Sequence, residues 1–199
     1  MIIDLARCIG CDSCTISCKQ EQGTPPYVMF ARVFSREYGT FPKTRRFFLP
    51  ILCNHCEDPP CLKACPSHAI QKRGDGIVHV DEEKCCVAQA CVSACPYGAM
   101  FYPQDGVTYF GEPTELEKYH ISRKVKLPVA MKCNFCMQRV DIGLEPACVV
   151  TCPTGCRIFG DLDDPQSKPN VYLKERRIHA TPEPLRPEAD TKPSVRYLP

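Results

Sequence analysis

A chain of 199 residues with 17 cysteines and 20 prolines has room for one large domain or two small ones, and its cysteine usage lies far above the ordinary. A formal charge of +2 gives neither the field of a nucleic-acid binder nor that of a membrane-surface protein, and no apolar run approaches the roughly 20 residues of a membrane span. The cysteines are odd in number and crowd into four groups, which suits metal coordination better than disulfides, because neighbours on one tight loop point at one centre.

In chain order, Met1 to Leu5 predicts a short strand that runs straight into the first group without a signal peptide, so folding in the cytoplasm is expected. That group, Cys8, Cys11, Cys14 and Cys18, has the spacing of a bacterial iron-sulfur run, in which the fourth cysteine ligates the other cluster of a pair. Thr15 to Gln22 predicts a helix closed by Gly23. Tyr27 to Glu37 and Arg45 to Leu49 predict two strands joined through Gly39-Thr40-Phe41-Pro42, with Lys43, Arg45 and Arg46 on a solvated tip.

The second group is Cys53, Cys56, Cys61 and Cys65, and the third is Cys85, Cys91 and Cys95, with Cys86 beside Cys85. Between them Ile70 to Val80 predicts a hairpin turning on Gly74-Asp75-Gly76. A Cys-Pro step followed by a hairpin recurs after Cys95, with Gln104-Asp105-Gly106 as its turn, which makes an internal repeat of Cys-rich loop, short helix and hairpin. Glu112 to Lys126 is polar and predicts a surface loop or short helix. The fourth group is Cys133, Cys136, Cys148 and Cys152, followed by a strand over Arg157 to Gly160 and a helical turn from Asp161 to Pro165. From Pro169 onward the chain is rich in proline and charge and cannot make its own core, so it is an extended arm on another surface or a disordered tail.

Zinc explains these spacings poorly, since a structural zinc site takes four ligands as two separated pairs, whereas three cysteines within seven residues can reach three corners of one iron-sulfur cube. Groups two and three are separated by one hairpin and pair with each other; groups one and four are left to pair across them. The shared-cysteine rule then gives one 4Fe-4S site on Cys8, Cys11, Cys14 and Cys152, a second on Cys18, Cys133, Cys136 and Cys148, and a third on Cys53, Cys56, Cys61 and Cys95. The fourth site has only Cys65, Cys85 and Cys91, with Ala88 at the missing-ligand position. It reads as a 3Fe-4S centre, the alternative being a fourth 4Fe-4S cluster completed by Cys86, water or another side chain. Cys156 has no ligand slot and reads as a small buried apolar residue, and His55 as a solvated side chain, with tuning of a cluster as its sharper alternative. No nucleophile, phosphate loop or paired-carboxylate site is evident in the sequence, so no residue is assigned a catalytic role.

The expected fold is α+β: two nested bacterial-type two-cluster ferredoxin units with short helices and hairpins. Residues 1–52 and 128–168 form the split first unit and 53–110 the inserted second. Residues 111–127 form a surface insertion, and 169–199 an extended C-terminal arm.

The four groups, in this order and with eleven residues between Cys136 and Cys148, resemble the four-cluster iron-sulfur subunits of dimethyl-sulfoxide-reductase-type molybdenum or tungsten enzymes. The resemblance runs from Met1 to about Pro165 and is not specific for substrate. At Ala88 the chain looks like nitrate-reductase-type members, which hold a three-iron centre there. It implies an electron-transfer subunit. A molybdopterin-containing catalytic subunit would dock beside the site of Cys8, Cys11, Cys14 and Cys152, and a membrane quinone-binding subunit or a soluble carrier would meet the site of Cys65, Cys85 and Cys91. The final compartment would be the cytoplasm, or the periplasm after export with a signal-bearing partner. A stand-alone polyferredoxin and a zinc-holding structural module are the other readings.

Overall fold

The computed structural model describes residues 1–103, 107–122, 128–176 and 182–199. The architecture is mixed α+β, with short helices and four small sheets around a core into which most of the cysteines are packed.

Strand β1 (Ile2–Asp4) is fully buried and leads through one 3-10 turn into the first cysteine loop and helix α1 (Ser13–Gln22). Asp12 opens α1 in a left-handed conformation, its carboxylate accepting from the Thr15 hydroxyl at 3.1 Å. Gly23, at φ +56°, closes it as a left-handed cap. A Cβ there would lie 2.0 Å from the His120 ring. The next hairpin pairs β2 (Arg32–Tyr38) with β3 (Arg45–Ile51). The strand expected from Tyr27 starts only at Arg32, because Tyr27 sits at φ +67° in a turn that buries Val28, Phe30 and Ala31. The Lys43, Arg45 and Arg46 tip is exposed.

The middle of the chain contains α2 (Pro60–Lys63), the hairpin of β4 (Ile70–Lys72) and β5 (Val78–Val80), and α3 (Ala90–Ala94). Strand β6 (Met100–Phe101) follows, but the strand antiparallel to it is β7 (Met131–Lys132), about thirty residues onward. The expected turn at Gln104-Asp105-Gly106 lies outside the described residues. Between these two strands α4 (Glu115–Ser122) is started by a reciprocal cap: the Thr114 N–H donates to the Glu117 carboxylate (2.8 Å), and the Glu117 N–H donates to the Thr114 hydroxyl (3.2 Å). The Tyr109 hydroxyl ties this insertion to the segment after α1 by donating to the Thr24 carbonyl.

Helices α5 (Met137–Val140) and α6 (Ala147–Val150) carry the last cysteine group, and β8 (Arg157–Ile158) returns to β1. Pro169 does not begin an irregular arm: it is buried in the first turn of α7 (Lys168–Glu175), where proline is tolerated, and Tyr172 of that helix donates to the Asp4 carboxylate. Residues 182–199 lie on this chain itself. Strand β10 (Arg196–Leu198) inserts between β1, to which it is parallel, and β9 (Glu183–Pro184), giving the order β8-β1-β10-β9. Thr191, Val195 and Leu198 are buried, so this proline-rich segment contributes to the core.

Candidate metal centres

Four loops present the cysteines, and they share a backbone. The second residue after the leading cysteine has positive φ in each: Gly10 (+69°) after Cys8, His55 (+42°) after Cys53, Val87 (+65°) after Cys85 and Phe135 (+52°) after Cys133. Asp12 (+57°) and Gln89 (+55°) repeat the likeness two residues further on. Alternation of this kind turns successive N–H groups toward one concavity, a geometry suited to anionic sulfur. At Gly10 a side chain would also have to displace the Phe48 ring, since a Cβ there would lie 2.2 Å from it.

Four helical stretches divide the thiols. Cys14 and Cys18 on α1 are four residues apart, as are Cys61 and Cys65 at α2, Cys91 and Cys95 at α3, and Cys148 and Cys152 at α6. Helix α1 packs on α6 and α2 on α3, so each pair of helices exchanges cysteines between two centres. A first cavity is lined by Cys8, Cys11, Cys14 and Cys152, with Cys156 and Arg157. A second is lined by Cys18, Cys133, Cys136 and Cys148 with Phe135, and a third by Cys53, Cys56, Cys61 and Cys95 with His55. Among the described residues no three His, Cys, Asp or Glu side chains converge tightly enough for a single ion. The thiols surround a space instead of meeting at a point.

Cys65, Cys85 and Cys91 are buried close together, and burial first, then the Cys65 and Cys85 charges, pushes the Cys91 thiol up. Burial opposes ionisation of Cys65, but the N–H groups of Ile70, Ala69 and Ser67 and the Ser67 hydroxyl outweigh it and bring that thiol below its ordinary value. Cys152 is lowered in the same way, against burial, by the Thr154 hydroxyl and the N–H groups of Cys156, Arg157 and Thr154. Ala88 stands in the fourth loop where Cys11 stands in the first. Cys86, exposed, takes the place of exposed Ile9, yet its thiol also bonds the Ser67 hydroxyl that lies 3.7 Å from Cys65 Sγ.

Four of the other thiols are hard to ionise alone. Burial pushes Cys18 up to about 12, Cys61 to about 12, and Cys56 and Cys148 to about 11. Donors nevertheless aim at the sulfurs: the Cys156 N–H at Cys152 Sγ (3.3 Å), the Ala99 N–H at Cys95 Sγ (3.5 Å), the Phe135 N–H at Cys133 Sγ (3.4 Å), Gln22 Nε2 at Cys136 Sγ (3.3 Å) and Arg157 Nη2 at Cys14 Sγ (3.5 Å). Arg157 is 3 % exposed and its Nη1 has no partner among the described residues. Sets of four thiols ringed by donors, next to a lone buried cation, fit iron-sulfur clusters, which need thiolates and carry negative charge.

His55 overturns its expected solvation. It is fully buried, Nδ1 accepts the Val78 N–H at 3.0 Å, and its ring stacks on Phe135 at 3.7 Å, joining the rims of the second and third cavities. Burial first, then Lys132, holds its imidazole well below its usual pKa. Cys156 is buried as expected, and its thiol bonds Cys8. Arg157 and Lys132 were not among the expected site residues. Their signal in the sequence is a single cation inside an apolar run, Val129-Ala130-Met131-Lys132-Cys133 and Cys156-Arg157-Ile158-Phe159.

Comparison with known proteins agrees with this chemistry. A family described as a 4Fe-4S dicluster domain matches residues 44–110 and 114–162. The whole chain aligns with a dimethyl sulfoxide reductase iron-sulfur subunit of Halobacterium salinarum at 38 % identity, covering 78 % of that protein. It aligns as completely with the arsenate respiratory reductase iron-sulfur subunit of a Shewanella species at 34 %, covering 94 %, and with one of the tetrathionate reductase subunits of Salmonella typhimurium at 40 %, covering 71 %.

Proposed function

The chain belongs to the 4Fe-4S dicluster family of reductase iron-sulfur subunits, and from that premise we propose how its own residues carry electrons within a molybdopterin oxidoreductase complex. Iron-sulfur clusters supply one-electron storage with little rearrangement, and the protein fixes their order and environment. Cys8, Cys11, Cys14 and Cys152 hold the first 4Fe-4S centre; Cys18, Cys133, Cys136 and Cys148 the second; Cys53, Cys56, Cys61 and Cys95 the third. Cys65, Cys85 and Cys91 hold a 3Fe-4S fourth centre beside Ala88. The observation that carries the reading is the lining of three cavities by four cysteines each, with helix pairs exchanging cysteines between centres. Contact between Cys86 and Ser67 favours a second reading in which Cys86 completes a fourth 4Fe-4S cluster.

The architecture is two nested ferredoxin-like units, 1–52 with 128–168 around 53–110, with 111–127 as a surface insertion and 169–199 as a C-terminal arm whose residues 182–199 lie against both. A pterin-bearing catalytic subunit docks over the first centre. Exposed Cys11 and Ile9 (58 % exposed) line the first cavity at a surface that a partner would cover. The fourth centre exchanges electrons with a quinone-linked membrane subunit or a soluble carrier. Among the described residues no helix is long and apolar enough to cross a membrane.

Elemental analysis of anaerobically purified protein tests this reading. About 15 iron atoms per chain are expected, with a three-iron paramagnetic signal in the protein as isolated that disappears on mild reduction before the other centres take electrons. Zinc in place of iron would falsify the assignment, and a chain active as a monomer in its native extract would remove the partners.

A further inference from the structure

Two cations are buried among the thiols: Arg157 on β8 is 3 % exposed and Lys132 on β7 is 5 % exposed. Among the described residues no ion pair joins either one to a carboxylate. A lone buried charge is expensive unless something anionic lies beside it. Arg157 lines the first cavity, where its Nη2 lies 3.5 Å from Cys14 Sγ, one helical turn along α1 from Cys18 of the second, and its strand packs against α6, which carries Cys148. Lys132 Nζ donates to the carbonyl of Cys133 (2.7 Å) and to that of Val78, which lines the third cavity; its charge acts on Cys133 of the second cavity and Cys61 of the third.

We propose that Arg157 and Lys132 are fixed counter-charges of the electron path, Arg157 between the first and second centres and Lys132 between the second and third. This rests on the cluster assignment above. An electron placed on one centre repels an electron entering the next, and in a medium of low polarity little else weakens that repulsion. A cation held between them stabilises the reduced form of both neighbours, so each can be filled without emptying the other. The second centre, flanked on both sides, gains from both cations. Both are positioning residues, since neither binds iron in this scheme, and both side chains are kept from solvent, where ions would screen them.

The test is a potentiometric titration of the iron-loaded full chain, in complex with its partners where these co-purify, each centre being followed by its paramagnetic signal. Iron content is measured first, so that failure of the wild-type chain to hold four centres counts against the assignment and not against the counter-charges. Arg157→Gln is expected to lower the potentials of the first and second centres by at least tenfold in the one-electron equilibrium constant, or about 59 mV. The third and fourth should keep their values. Lys132→Gln should do the same to the second and third while sparing the first, and Arg157→Lys should restore more than half of the Arg157→Gln shift. Unchanged potentials in a fully loaded Arg157→Gln protein, or equal movement of all four centres, overturns the proposal. If Arg157→Gln takes up no iron, Arg157→Lys decides: full loading with wild-type potentials upholds the need for charge, and failure to load shows that the shape of the guanidinium is what matters, which also overturns it.

Discussion

Val87 occupies a conformation, φ +65°, that β-branched residues seldom adopt, and it does so in the one loop that lacks a regularly spaced second cysteine. The loop keeps the path of residues 8–12 even though Ala88 has replaced the thiol, so what departs from its counterpart is the ligand and not the backbone. Ala88→Cys should therefore place sulfur where Cys11 has it. Iron should rise by one atom, to about 16 per chain, and the three-iron signal should vanish. Cys86→Ser should change neither quantity; loss of the centre on that substitution assigns the fourth ligand to Cys86 and ends the three-iron reading.

Among the elements, β10 departs furthest from expectation. Val195 immediately before it is fully buried, the Tyr197 hydroxyl donates to the Pro50 carbonyl, and Tyr97 and Thr191 share a hydrogen bond of 2.6 Å. Val195→Asp should destabilise the protein by about 4 kcal/mol or more, since it buries a carboxylate with no partner, and should show as iron lost on mild heating. A Val195→Asp protein that retains iron and melts with the wild type would mean that the sheet is dispensable. The cysteine spacings, the helix ending at Gly23 and the hairpin at Gly74-Asp75-Gly76 were legible because each depends on neighbours in sequence. The strand pairing of Arg196–Leu198 with Ile2–Asp4 was not, because proline content speaks for a segment's own preferences and not for a distant groove near the N-terminus that it completes. His55 was misread for a related reason: nothing local announces that Phe135 will lie against its ring.

For the molecule as a whole, the proposed four centres of about −2 each would turn a formal charge of +2 into about −6 and make the loaded protein an anion built around buried cations. Residues 182–199 clasp both the N-terminus and the loop that follows Cys53. Glu57 and Asp58 donate backbone hydrogen bonds to Lys192 and Thr191, the Ser194 N–H and hydroxyl reach the carbonyls of Asn54 and His55, and the Arg196 N–H reaches that of Met1. Translation delivers these residues long after Cys8 and Cys53. A nascent chain arrested before residue 182 should consequently be cut by protease in both 1–18 and 53–65 and should release iron to a chelator, while the released chain resists both; protection of the arrested chain would show that the clasp comes too late to matter. A message broken short of this segment yields a polypeptide with all 17 cysteines and no seal. If the arrested chain behaves in that way, the last strand of the sheet is a proofreading step, by which only a chain translated through to β10 is entrusted with metal.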